Sequence, residues 1–115
     1  WEKYLLMCPL GSLTAATGKT YGALMSNAVL KAKLQGMMEE VVAVARARKV
    51  YLPGNAVDRT MEMAGRFASD AKTSMQLEKG RQTEVDTLTG FLCRAGRESG
   101  IPTPLHDEVY QQILR

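Results

Sequence analysis

Apolar residues recur every third or fourth position through most of this chain, the spacing of helices packed along one side. Leu30, Leu34, Met37, Val41 and Val44 form the clearest stripe, and Lys31, Gln35, Glu39 and Arg46 fall opposite it. Asn27 precedes the stripe with a side chain able to take the first free amides, which predicts the longest helix from there to about Lys49. Gly36 in its middle costs about 1 kcal/mol relative to Ala, so close approach of another helix is expected at that point. Upstream, Trp1 to about Thr17 reads as a helix kinked near its middle, because Pro9 removes a backbone donor and Gly11 weakens the interior. Tyr4, Leu5, Cys8 and Leu13 would pack inward, while Lys3, Met7, Gly11 and Thr14 share another face. Gly18-Lys19-Thr20 breaks the pattern, and Thr20 caps a short helical piece through Met25.

Leu52-Pro53-Gly54 predicts a turn, and Asn55 with Asp58 three residues later opens the next helix. Its buried side reads as Val57, Met61, Ala64 and Ala68, with Phe67 alongside, before a polar link over Ser69 to Lys72. A further helix is predicted from Thr83 to Ser99, with Val85, Leu88, Leu92 and Ala95 inward and Gly100 at its end. Gly90 again permits a tight contact. Thr103 caps a last helix with Pro104 at its first position, where a missing N–H does least harm. Leu105, Val109 and Ile113 would be its buried side. No segment alternates with the period of a strand, and there is no internal repeat. The predicted class is all-α, with about six helices.

Between the last two pairs of helices lies a stretch with two helix-start signals in fourteen residues. Thr73 is followed by Gln76 and Thr83 by Asp86, each at capping-box spacing, and Gly80 between them can end the first short turn. Two helix N-termini carrying Ser74, Lys79, Arg81 and Glu84 would form an anion- and hydroxyl-binding corner. Capping boxes are also common on plain solvated faces, so the spacing alone leaves both readings open.

Composition narrows the field. A length of 115 residues suits one domain, and 45% apolar residues suit a globular one. No apolar run is long enough for a membrane-spanning helix. The opening Trp-Glu-Lys lacks the order of a signal peptide and an initiator Met, so the chain is expected to begin inside a longer protein. Two distant cysteines, one His and no CxxC pair support neither a metal site nor a disulfide framework. Buried free thiols in a reducing cytoplasm are expected for Cys8 and Cys93. The net charge of +3 is dispersed among acidic residues, which argues against nucleic-acid binding. A mildly positive field would still attract an anionic cofactor or a carboxylate substrate. His106, Cys8 and Cys93 lack the partners that nucleophilic catalysis needs, and the seven methionines are core filler.

Ser74-Met75, Gly80-Arg81, Thr83-Glu84-Val85-Asp86 and Leu88-x-Gly90, in that order, resemble the C-terminal domain of ketopantoate reductases. The opening Trp1-Glu2-Lys3 and the late Gly100-Ile-Pro-Thr-Pro104 extend the resemblance over essentially the whole chain. It implies that residues 1–115 are a helical, substrate-binding domain of the 6-phosphogluconate-dehydrogenase-like type. An N-terminal Rossmann domain absent from this chain would bind NADPH. The implied reaction is reduction of ketopantoate to pantoate, in the cytoplasm, in the path to pantothenate. By the same resemblance Lys3 is the catalytic lysine that protonates the substrate carbonyl oxygen. Ser74 and Glu84 bind the substrate's carboxylate and hydroxyl end and help order the lysine. A homodimer is also implied.

The chain departs from the family pattern twice. Many members carry Asn one and two turns after the lysine, where this chain has Met7 and Gly11, which puts the substrate in question. About two residues, including an Asp, are missing between Ser74-Met75-Gln76 and Leu77-Glu78-Lys79. A reductase of another keto acid is the alternative within the enzyme class. Outside it stands a helical dimerisation domain meeting a partner through Leu34, Met37 and Val41.

Overall fold

The computed structural model describes residues 1–66 and 86–114, which fold into six helices with no strand among them. They are α1 (Glu2–Thr17), α2 (Tyr21–Met25), α3 (Ala28–Ala47), α4 (Ala56–Gly65), α5 (Phe91–Ser99) and α6 (Pro104–Leu114). A π-helical turn, Asp86–Gly90, leads into α5. The capping-box stretch, with Ser74 and Glu84, lies outside the described residues, as do Phe67, Ala68, the polar link, Val85 and the side chain of Asp86.

Helix α1 is the axis of the domain, packed by α3, α4, α6 and the π-turn. It runs without interruption across Pro9, where the missing N–H leaves the Leu5 carbonyl without its ladder donor. Every residue from Cys8 to Ala15 is buried, so the expected face of Lys3, Met7, Gly11 and Thr14 does not exist as a surface. Only Lys3 is exposed; Met7 is half-buried, and Gly11 and Thr14 are interior. A helix enclosed on all sides has no solvent stripe to display. Thr14 is accommodated there because its hydroxyl donates back to Leu10 O at 2.8 Å.

Three predicted caps form. Thr20 accepts from the Ala23 amide, Asn27 accepts from Val29 and Leu30, and Gly100 closes α5 at φ 72°. The α3 stripe is buried from its second member on, with Leu34, Met37, Val41 and Val44 at 0% exposure and Leu30 half-buried. That removes Leu34, Met37 and Val41 as a surface for a partner chain: the apolar stripe is core, since α3 packs against α1, α5 and α6 at once.

Helix α4 differs from its sequence reading. Asn55 stands at its start but makes no capping bond, and the buried side is Ala56, Thr60 and Ala64, with Val57 and Met61 only half-buried. Small side chains four residues apart form the closely packed face, and the Thr60 hydroxyl is satisfied inside by Ala56 O at 2.7 Å.

The π-turn is where the helix predicted from Thr83 departs from regular geometry. Within this wider turn, Leu88 O receives the Tyr4 hydroxyl and, at 3.5 Å, the Cys8 thiol. One turn further along α1, Ser12 and Thr89 share a hydrogen bond of 2.6 Å. Tyr4, Cys8 and Ser12, spaced four apart, thus stitch α1 to the segment that follows the undescribed one.

The start of α6 is capped from elsewhere in the fold. Glu40 of α3 accepts from the backbone amides of Leu105 and His106 at 2.9 and 3.1 Å and from His106 Nδ1 at 2.7 Å. Thr103, predicted to cap this helix, instead directs its hydroxyl to the Asp107 carboxylate at 3.2 Å. The helices meet closely because Gly36 has no side chain: a Cβ there would lie 2.6 Å from Leu105 Cδ1.

Candidate substrate groove

The N-terminal part of α1 and the side of α4 that packs towards it bound a groove of about 260 Å³ lined by Glu2, Lys3, Leu5, Leu6, Ala56, Arg59, Thr60 and Met63. The small residues that draw α4 against α1 leave Arg59 and Met63 standing at the groove's far wall. Leu5, Leu6, Ala56 and Met63 make its lining largely apolar. Lys3 and Arg59 are both exposed, and neither forms an ion pair among the described residues. Two cations facing one carboxylate, Glu2, leave the groove with a net positive charge, suited to an anion that also carries apolar groups.

A second hollow, about 300 Å³, lies around Trp1, Tyr4, Arg48 and Phe91. Here the rings pack edge to face, Trp1 against Tyr4 at 5.5 Å and Tyr4 against Phe91 at 5.9 Å. Arg48 is already engaged, 5.4 Å over the Phe91 ring and 3.2 Å from Glu98. This cluster is packing, with no uncommitted charge.

Burial governs the remaining candidates. The Tyr4 hydroxyl is desolvated and its pKa is raised far above the ordinary phenol range, so it stays protonated and serves Leu88 O. Burial also pushes the Cys8 and Cys93 thiols up to about 12, and Asp107 adds to the effect at Cys93. Both are free and buried, and neither supplies a thiolate at neutral pH. No group of His, Cys, Asp and Glu among the described residues could hold a metal ion. His106 is structural, wholly buried and bound to Glu40.

Of the residues proposed from sequence, Lys3 therefore stands at the groove, while Ser74 and Glu84 lie outside the described residues. The π-turn that follows Glu84 is held to Tyr4, the neighbour of Lys3 in the chain. Nothing in the sequence singles out Arg59, because an Arg in Val57-Asp-Arg-Thr-Met61 looks like any solvated helical cation. Only the packing of α4 on α1 reveals that it lines the same groove as Lys3.

Comparison with known proteins agrees with this architecture. Residues 1–115 match the family model described as ketopantoate reductase PanE/ApbA C terminal. The chain belongs to that family. It is 32% identical over 117 residues to a 2-dehydropantoate 2-reductase of Mesorhizobium japonicum, covering 100% of this chain and 35% of that protein. The Vibrio cholerae 2-dehydropantoate 2-reductase is 30% identical over 115 residues, covering 98% and 38%. A dimeric ketopantoate reductase from Staphylococcus aureus superposes with a TM-score of 0.90 at 26% identity, over 99% of this chain and 40% of that one. The chain thus spans well under half the length of the relatives it matches. No described helix is long and apolar enough to cross a membrane.

Proposed function

We propose that this chain is the substrate-binding half of an NADPH-dependent 2-dehydropantoate 2-reductase, which reduces ketopantoate to pantoate for pantothenate synthesis in the cytoplasm. The observation that carries the reading is the family match over the entire chain, and it is supported by Lys3 lining a groove with a second cation. The described residues contain no strand or glycine-rich phosphate turn, so NADPH binding is assigned to an N-terminal Rossmann domain outside this chain. A nicotinamide bound there would supply the hydride that the substrate's carbonyl carbon takes up.

Lys3 does the rest of the reduction. Its ammonium donates a hydrogen bond to the keto oxygen, stabilises the negative charge that grows on it, and delivers the proton that completes the hydroxyl. Solvent then reprotonates the amine. Ser74 and Glu84 hold the substrate's polar end and orient the lysine. A homodimer of the full-length protein is part of the same reading.

The test is NADPH oxidation by the full-length parent with ketopantoate, wild type against Lys3→Ala. Activity should be present and fall by about a hundredfold or more, the scale of a lost general acid. A wild type that binds NADPH yet ignores ketopantoate would remove the substrate assignment. It would favour another keto acid, with Met7, half-buried one turn after Lys3, as the first position to examine. The isolated 115 residues should not oxidise NADPH, because hydride donor and acceptor then share no site.

A further inference from the structure

We infer that Tyr4 is a positioning residue of the reduction: the hydrogen bond from its hydroxyl to Leu88 O fixes the first turn of α1 and, through it, the direction of Lys3. The inference rests on the reductase reading above, in which Lys3 is the proton donor, and extends it to a residue that touches no substrate.

The need for such a group follows from how α1 begins. Trp1 stands at its N-cap with no side-chain hydrogen bond to the free amides, so this end lacks the support that Asn27 gives α3. Further along, Pro9 removes the donor that Leu5 O would otherwise meet. The segment that carries Lys3 is therefore short of helical hydrogen bonds at both ends, and such a helix start frays unless tertiary contacts hold it. Lys3 adds no ion pair to that hold, being exposed and unpaired among the described residues.

Tyr4 supplies the hold. Its hydroxyl donates to Leu88 O in the π-turn, and its ring packs edge to face against Trp1 at 5.5 Å and Phe91 at 5.9 Å. Burial keeps the phenol protonated, so it remains a donor at neutral and mildly alkaline pH. Successive side chains leave a helix about 100° apart. A hydroxyl pinned on the Tyr4 side fixes the tilt and rotation of the turn, and Lys3 then leaves it in one direction. Ring packing alone lets the turn slide, whereas the hydrogen bond does not. Proton transfer needs that precision, since a misplacement of about 1 Å costs on the order of a hundredfold in rate. Ser12 also bonds the segment after the π-turn's start, to Thr89 at 2.6 Å. It lies beyond Pro9, so its bond holds the body of α1 and not the first turn.

The experiment measures steady-state kinetics and melting temperature of the full-length enzyme carrying Tyr4→Phe, Ser12→Ala, Lys3→Ala, and Tyr4→Phe combined with Lys3→Ala. Tyr4→Phe keeps the ring and loses the donor, so kcat should fall about tenfold while KM for ketopantoate stays within about threefold. Ser12→Ala, which removes a buried bond to the same segment, should lower the melting temperature at least as much and keep kcat within about threefold. In the Lys3→Ala background Tyr4→Phe should cost nothing further, because a positioning residue loses its effect once the group it positions is gone. The inference is overturned by a fall in kcat below about threefold for Tyr4→Phe, by an equal fall for Ser12→Ala, or by a full extra loss in the double variant. A wild type inactive on every keto acid tried, or undiminished activity in Lys3→Ala, would bring down the reductase reading and this inference with it.

Discussion

The groove between α1 and α4 and the junction between α3 and α6 use charge in opposite ways. At the junction one carboxylate, Glu40, receives two backbone amides and an imidazole nitrogen, all within 3.1 Å. Its side chain is 11% exposed and His106 not at all. In the groove, Lys3 and Arg59 stand exposed and make no ion pair among the described residues. A charge that is buried must be fully satisfied, and once satisfied it holds the fold and has nothing left for a ligand. A charge left open at a concave, partly apolar wall adds little to stability and is available for binding.

That contrast can be broken at either end. Glu40→Ala should destabilise the protein most, by about 3 kcal/mol, because it strands the His106 ring and two helix-start amides in a buried place. Urea unfolding of the full-length protein measures it, and a loss below about 1 kcal/mol would mean that water replaces the carboxylate. Lys3→Ala should do the reverse, with a hundredfold loss of activity, about 2.7 kcal/mol of barrier, and a melting temperature unchanged within a degree or so. A large drop in melting temperature would make Lys3 a structural residue.

Two glycines sharpen the comparison on a finer scale. A Cβ on Gly96 would meet the backbone oxygen of Ile101 and Thr103 Cγ2, both at 2.8 Å. Backbone cannot step aside, so Gly96→Ala should destabilise by about 1–3 kcal/mol. At Gly36 the obstacle is the tip of the Leu105 side chain, which can rotate, and Ala gains about 1 kcal/mol of helix propensity. Gly36→Ala should therefore stay within about 1 kcal/mol of wild type. Equal effects at the two sites would show that the α3–α6 contact is as rigid as the turn after α5.

The smallest expected effect concerns the thiols. Burial raises the Cys8 and Cys93 pKa to about 12, so the folded state favours the protonated form more than the unfolded chain does. That contribution to stability is complete below about pH 9, the ordinary thiol value, and is lost as pH rises through about 12. Native protein at pH 8 should react slowly with a thiol reagent, and unfolded protein should react at both cysteines. Rapid labelling of one thiol in the native state would mark an opening at that site.

Local signals in the sequence carried much of this architecture. Asn27 and Thr20 mark helix starts because their side chains bond amides two or three residues away, and Gly100 marks an end because it adopts φ 72° readily. The stripe on α3 names its own core face. The match to the reductase family was also legible from spaced motifs. What sequence could not hold are relations between distant segments. Glu40 caps a helix 65 residues away, and nothing near Thr103 announces it. Leu88 O accepts from Tyr4, 84 residues earlier. Periodicity separates Gly11 and Thr14 from the apolar side of α1 but is silent about a helix enclosed all round, and both residues are buried.

The sequence by itself determined the helical class, most helix ends and the family, since each depends on residues within one or two turns of each other or on ordered motifs. Tertiary structure alone decided which charges are consumed and which stay open. Arg59 and Glu40 are both ordinary helical charges in sequence. The packing of α3 surrounds one with donors, and the packing of α4 leaves the other beside Lys3 at an open groove, because the free energy of a charge is set by its three-dimensional surroundings.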